Sequence, residues 1–326
     1  MALTRPRLLA LRALALGDFL TGVPALRALR RGLPDHEVVL ATPAALSDLV
    51  RLSDVADRLL PTTGLEAVPW TGAPPAVAVN LHGCGPQSHV LLQALTPERL
   101  VAFDRPDMQH RGPAWDPDEH EVRRWCRLVG DGLGLPTDPT DLAIAVPPVP
   151  PMVGGAVVVH PGAAYPARRW PADRFAAVAR WARRLGHDVV VTGGPDETAL
   201  AEDVRRRAGL PAHAVLAGRT DLTRLAAEVA HARLVVCGDT GVAHLATAYA
   251  TPSVLLFGPT PPQRWGPPPY GPHAVLWRGT EVADPWADRP GPALLALGVE
   301  DVVAAAARVL EVSAAGPPGR TTPASS

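Results

Sequence analysis

The stretch Ala232-Arg-Leu-Val-Val-Cys-Gly-Asp-Thr-Gly-Val-Ala-His-Leu-Ala-Thr-Ala-Tyr-Ala-Thr-Pro-Ser-Val-Leu-Leu-Phe-Gly-Pro-Thr260 holds two strand signals around a helix signal. Residues 234–237 form an apolar, β-branched run of the kind that makes a buried strand. Gly238-Asp239-Thr240-Gly241 then stops the strand and starts an alanine-rich helix, and Pro252 opens a second apolar strand that ends at Gly258-Pro259. Strand, helix and strand in so short a span predict two parallel strands with a right-handed crossover. Ligands of such sheets sit beyond the carboxyl ends of the strands. The 238–241 turn lies there, with backbone N–H groups and a helix N-terminus suited to phosphate.

The same alternation runs through the rest of the chain. Strands are expected at 7–12, 37–42, 76–81, 100–103 and 142–146, with helices near 18–31, 43–52, 86–95 and 118–130. The stretch Val146-Pro-Pro-Val-Pro-Pro-Met-Val-Gly-Gly155 reads as a linker, stiffened by proline and then freed by glycine. Beyond it come strands at 156–160 and 187–192, helices at 172–185, 196–208 and 221–231, and a short strand at 213–216. The opening segment follows, then a strand at 274–277 and a last helix near 299–312. The expected architecture is α/β: two Rossmann-like, doubly wound parallel-sheet domains with a cleft between them. Residues 1–148 form the first domain and 149–313 the second, with the final helix allowed to return to the first. Residues 314–326 lack apolar content and read as a disordered tail.

Composition removes several functions. A length of 326 residues favours two domains over one core. No apolar run reaches bilayer length, and no basic amphipathic anchor is evident. The Met1–Ala15 stretch reads as a first strand rather than a signal peptide, because Arg7 and Arg12 interrupt it. A net charge of −1 gives no case for nucleic acid. Three cysteines, at 84, 126 and 237, show no metal-ligand spacing, and the cytoplasm is the expected address. All 31 basic residues are arginine. Without lysine there is no Walker-type phosphate lysine, no Schiff-base lysine and no lysine general base. The absence of a Gly-x-Gly-x-x-Gly after any strand disfavours a nicotinamide dehydrogenase.

Four constellations could carry chemistry, and each also has a plain structural reading. In Arg12-Ala-Leu-Ala-Leu-Gly17-Asp18, Asp18 either caps the helix that follows or presents a general base at the strand end. In His160-Pro-Gly-Ala-Ala-Tyr-Pro-Ala-Arg-Arg-Trp170-Pro171, Arg168 offers a planar fork of donors to a diphosphate. Its neighbour Arg169 reads as solvated and Trp170 as a core anchor. In Val191-Thr-Gly-Gly-Pro-Asp-Glu197, Glu197 decorates a helix start or takes a ribose hydroxyl pair. The fourth is the opening segment with His244, which on its own reads as a buried core histidine, and its proline-rich rim, Phe257-Gly-Pro-Thr-Pro-Pro-Gln-Arg-Trp-Gly-Pro267. Weaker signals come from His82-Gly-Cys-Gly-Pro-Gln-Ser88, with His82 and Gln87, and from Trp115, His120, Arg123 and Arg124, which could line an acceptor side. Asp116-Pro-Asp118 has metal-pair spacing but reads as a helix cap.

Taken in order, Leu-Gly-Asp, Arg-x-Trp-Pro after a His-Pro-Gly strand end, Gly-Gly-Pro-x-Glu and Gly-Asp-Thr-Gly-x-x-His resemble glycosyltransferase family 9, the heptosyltransferases of lipopolysaccharide core assembly. The resemblance spans residues 7–310 and rests most on the Asp-Thr-Gly-x-x-His element with Phe-Gly-Pro-Thr. It implies the GT-B fold and an inverting, metal-independent transfer of a sugar, by family default heptose from ADP-heptose, to a glycan, glycolipid or other hydroxyl acceptor. Asp18 is then the catalytic base, while Arg168, Glu197, Asp239, Thr240, Gly241 and His244 bind the donor. Arg168 stands where the family usually has lysine. The resemblance implies no cofactor beyond the nucleotide sugar and no metal. Partners would be the donor and the acceptor, with at most peripheral membrane association, and the chain would be a monomer. A nucleotide-sugar epimerase and a non-catalytic nucleotide-sugar-binding GT-B protein are the alternatives.

Overall fold

A computed structural model describes residues 5–315. The chain divides into two compact units, one running to Pro148 and also taking in Gln263–Trp265, the other formed by the remaining residues from Val149.

The first unit contains β1 (Arg7–Leu11), α1 (Leu16–Gly32), β2 (Glu37–Thr42), α2 (Ser47–Ser53), β3 (Arg58–Pro61), β4 (Val77–Asn80), α3 (Pro86–Gln93), β5 (Arg99–Val101) and α4 (Glu121–Leu133). Its strands form one sheet in the order β3-β2-β1-β4-β5, and each neighbouring pair is parallel. Central strands of such a sheet are covered on both faces, which is why β1 and β4 are nearly unbroken apolar runs. Strand order reverses direction between β1 and β4, so the carboxyl ends of these two strands flank the switch point where α/β sheets take ligands. Arg12 and Leu81 lie there.

The second unit contains β6 (Val157–His160), α5 (Ala172–Arg184), β7 (Val189–Val191), α6 (Thr198–Ala208), α7 (Leu222–Ala230), β8 (Leu234–Gly238), α8 (Gly241–Ala248), β9 (Ser253–Leu256), β10 (His273–Leu276), the one-turn helix α10 (Pro292–Leu295) and α11 (Val299–Ala315); the one-turn α9 (Pro262–Trp265) lies between β9 and β10 in the chain. Its sheet is parallel throughout, in the order β10-β9-β8-β6-β7. The switch point falls between β6 and β8, where His160 pairs in register with Cys237. Trp170 is 1% exposed, stacks edge-on against Phe175 and donates through Nε1 to the Leu297 carbonyl at 3.1 Å, so it is a core anchor. The final helix, which the sequence allowed to return to the first domain, packs on α5 and on β8, β9 and β10.

Several sequence expectations change. Residues 142–146 are not a strand: Arg27 holds Asp141 and the Ala143 carbonyl, and the Ala145 amide donates to Leu52, so the segment is pinned as an irregular run. The short strand at 213–216 shrinks to one parallel bridge, Val191 to Val215, beside the 3-10 turn Ala212–Ala214. The sequence reading omitted β3, α9 and α10. Of the expected tail, residues 314 and 315 still belong to α11, and 316–326 lie outside the described residues.

The proline linker is fastened before it ends. The Glu228 carboxylate on α7 is 1% exposed and accepts from the amides of Met152 and Val153, while the Gly155 amide donates to the His231 carbonyl at 3.0 Å. Gly155 has φ +72°, a left-handed turn that its missing side chain permits.

Candidate functional site

In the first unit, α1 begins two residues before Asp18. Ala15 is the N-cap, without a side-chain hydrogen bond, so Asp18 is not the cap its sequence suggested but sits in the first helical turn. It is half-buried. Burial pushes its carboxyl above the ordinary 3.8; the Arg12 guanidinium pulls it down, Glu121 pushes it up, and the amides of Asp18 and Ala15 favour the charged form. The net effect is a carboxyl raised above its ordinary value, a shift in the direction that strengthens a base.

Around it lie residues that the sequence reading did not single out together. Arg12 is fully buried and donates from Nε to the Asp18 carbonyl at 2.5 Å. Glu121 is also buried, accepting from Arg12 at 3.4 Å, from Trp125 Nε1 at 2.8 Å and from Arg124. His82 stands at the end of β4 with its Nδ1 buried and without a protein partner. Burial first, and then the charge of Arg12, hold this imidazole down to about 4, so it is neutral at physiological pH. A neutral imidazole with an open nitrogen can meet a hydroxyl group.

The remaining acceptor-side candidates are less central. Gln87 is exposed in the first turn of α3. His120 is the N-cap of α4, its Nδ1 accepting from the Val122 amide at 3.2 Å. It takes the capping role expected of Asp118, which instead pairs with Arg264, while Asp116 Oδ1 accepts the Asp118 amide at 2.9 Å. Arg123 projects to solvent from α4. Among the described residues there is no group of three His, Cys, Asp or Glu placed to hold a metal ion.

In the second unit, two close approaches at glycine organise the switch point. Glu197 ends the 3-10 turn Pro195–Glu197, and its Oε2 accepts the Gly194 amide at 2.8 Å. That bond holds the carboxylate against Gly162, in the volume where a β-carbon would stand. His160, buried behind it, has Nδ1 3.0 Å from Thr192 Oγ1; burial lowers its pKa and the charge of Glu197 opposes that. At the second approach, the Arg168 carbonyl packs on Gly238 so closely that a β-carbon there would meet it at 2.9 Å.

Arg168 therefore sits against the turn that starts α8. It ends the 3-10 turn Pro166–Arg168, and its Nε is buried without a protein partner. Buried guanidinium donors are rarely left unpaired, so this nitrogen suits an acceptor that the protein itself does not supply. Asp239 is buried, Thr240 is the N-cap of α8, Gly241 is its first residue, and His244 is half-buried one turn along. A helix N-terminus is a receptor for negatively charged oxygen, and the Arg168 main chain packs on the strand end that leads into this one. Arg169 is not solvated as expected: its Nε and Nη2 donate to the Ala163 carbonyl at 2.9 and 2.8 Å, bracing the loop that carries Arg168.

Among known proteins, a family model, curated relatives and solved structures match this chain. The profile of glycosyltransferase family 9 (heptosyltransferase) matches residues 108–291. Lipopolysaccharide heptosyltransferase 3 of Escherichia coli is 31% identical over 166 residues, 49% of this chain and 48% of that protein. The chain thus spans about half the length of the curated relative it matches. Among solved structures, a family 9 glycosyl transferase from Veillonella parvula superposes with a TM-score of 0.76 at 19% identity, covering 96% of this chain and 99% of that one. The E. coli ADP-heptose lps heptosyltransferase II gives 0.76 at 18% identity, covering 94% and 99%. Two parallel α/β units matching these structures over nearly their whole length are the GT-B fold. By the match of its family profile over more than half its length, the chain belongs to glycosyltransferase family 9.

Proposed function

We propose that this protein is an inverting glycosyltransferase that moves a sugar from a nucleotide-sugar donor to a hydroxyl of a glycan or glycolipid, without a metal ion. The observation that carries the reading is that each unit keeps its chemistry at its own switch point. One offers a base and a neutral imidazole; the other offers an arginine and a helix N-terminus. Asp18 takes the proton of the acceptor hydroxyl, whose oxygen attacks the anomeric carbon from the face opposite the leaving group. The bond to the nucleoside diphosphate breaks as the new bond forms, which inverts the configuration. Charge on the departing diphosphate is received by Arg168 and the amides at Thr240 and Gly241, preorganised donors that need no reorientation. Glu197 takes the ribose hydroxyls, and Asp239 and His244 complete the donor site. ADP-heptose is the preferred donor, by likeness to the E. coli ADP-heptose lps heptosyltransferase II, and lipopolysaccharide the preferred acceptor class, by likeness to the E. coli lipopolysaccharide heptosyltransferase 3. No helix among the described residues is long and apolar enough to cross a membrane. For a glycolipid acceptor, the proposed contact is peripheral, at the cytoplasmic membrane face.

The test begins with a thermal-shift panel of ADP-, GDP- and UDP-sugars, followed by transfer assays with the sugar that binds. Asp18→Asn is expected to bind donor as the parent does and to lose about 10²- to 10⁴-fold in turnover, the usual contribution of a positioned base. Full turnover in Asp18→Asn overturns the assignment.

A further inference from the structure

Arg12 ends the run of β1 and is among the largest side chains wholly removed from solvent. A buried guanidinium is costly unless its donors are used and its charge is answered. Both conditions are met, through three other parts of the first unit. Nε donates to the Asp18 carbonyl at 2.5 Å and one Nη to the Leu81 carbonyl; the other Nη donates to Thr21 Oγ1 at 3.0 Å and Glu121 Oε1 at 3.4 Å. Its flat face lies 4.7 Å from the centre of the Trp125 ring. Gly22 makes the room: a β-carbon there would stand 2.7 Å from Arg12 Nε.

We infer that Arg12 is a positioning residue for Asp18, with Glu121 as its counter-charge: together they fix the first turn of α1 beside the end of β4 and set the field in which the Asp18 carboxylate works. The inference rests on the reading of Asp18 as the base.

A purely mechanical pin would need only hydrogen-bond donors. This one also acts by charge, and the charges facing Asp18 can be named. Arg12, from the end of β1, favours the carboxylate, while Glu121, from α4, disfavours it. Arg124, also on α4, pairs with Glu121 and repels Arg12. His82, from the end of β4, is neutral and adds no charge. Removing the cation at 12 should therefore keep Asp18 protonated to higher pH. Removing the anion at 121 should do the reverse. The planar fork matters as well, because an ammonium cannot reach acceptors spread over this arc.

The test needs no substrate. The chain is labelled with ¹³C at the aspartate side-chain carboxyl, the resonance lost in Asp18→Asn is assigned to Asp18, and its titration is followed by NMR. In Arg12→Met the Asp18 midpoint is expected to rise by about one pH unit or more, the usual effect of losing a nearby opposite charge. In Glu121→Gln, whose amide oxygen can still accept from Trp125, the midpoint is expected to fall. Arg12→Lys should keep the midpoint near the parent value while lowering the melting temperature. Should Arg12→Met fail to fold, Glu121→Gln and Arg12→Lys carry the test. A midpoint that stays put in Glu121→Gln, or that moves in the same direction in Glu121→Gln and Arg12→Met, overturns the inference. Turnover of Asp18→Asn is measured separately. An active variant overturns the base assignment and the purpose of the pair with it; an inactive variant with an unmoved midpoint overturns the pair alone.

Discussion

The Glu197 carboxylate lies against Gly162, in the space a β-carbon would take, and the Gly194 amide holds it there at 2.8 Å. The glycine and the glutamate are 35 positions apart in sequence, yet the space left by one is filled by the other. A carboxylate oriented before any ligand arrives loses little freedom on binding, which favours affinity.

Gly162→Ala should therefore displace Glu197 from the Gly194 amide. The expected cost is about 1–3 kcal/mol in stability from overpacking, together with weaker binding of ADP by calorimetry. Adding Glu197→Ala to Gly162→Ala should restore the melting temperature without restoring binding. A single Gly162→Ala variant that binds and melts like the parent would show that the contact does not constrain Glu197.

Arg168→Ala removes the guanidinium whose buried Nε has no protein partner. Loss of a charged hydrogen-bonding partner of a diphosphate is expected to cost about 1.5–3 kcal/mol, roughly ten- to a hundredfold in Kd for ADP. Arg168→Lys should fall between the two. Equal affinity for ADP in Arg168→Ala and parent would remove Arg168 from the donor site.

Asp18 makes a prediction about stability as well as rate. Its folded-state pKa is raised above 3.8, chiefly by burial. The folded chain then binds this proton more tightly than the unfolded chain does. The stabilisation is complete below 3.8 and is lost as pH rises through the folded-state value. Asp18→Asn, which never ionises, should melt higher than the parent at pH 7, and the gap should close as pH falls towards 3.8. Thermal unfolding across that range decides it; an Asn variant that melts lower at pH 7 contradicts the sign.

Glu228 anchors the end of the proline linker. Glu228→Ala leaves the amides of Met152 and Val153 without their acceptor, at an expected cost of about 2 kcal/mol. Urea unfolding measures it, and Glu228→Gln should recover part of the loss.

Most of the parallel framework was legible because its strands are local apolar runs bounded by glycine, proline or a helix start. Residues 234–256 show this well: β8, α8 and β9 each announce their own limits. Strand β3 was missed because Arg58 to Pro61 lies at a sheet edge and is partly exposed, so it lacks a buried run. Residues 142–146 misled for the opposite reason. Their apolar run looks like a strand, but Arg27 and Leu52 hold the segment instead. In the second unit the proposed donor residues Arg168, Glu197 and Asp239 lie close in sequence or space to glycines, at Gly238, Gly162 and Gly194, so local motifs could propose them. Arg169 misled because its partner, the Ala163 carbonyl, comes within reach only once the 3-10 turn has formed. On the other side, Arg12 left only the faint signal of a basic residue closing an apolar strand. Its partners Leu81 and Glu121 are 69 and 109 positions away, a separation at which no local pattern operates.

That separation also orders events in time. The Arg12 guanidinium finds all its acceptors only after residues near 18, 81 and 121 have come together, and closing loops of that length carries an entropy cost. A partly folded chain can hold its helices and much of its first sheet without a finished environment for Asp18. The surroundings of the Asp18 carboxyl are thus complete only when the α4 contacts are in place.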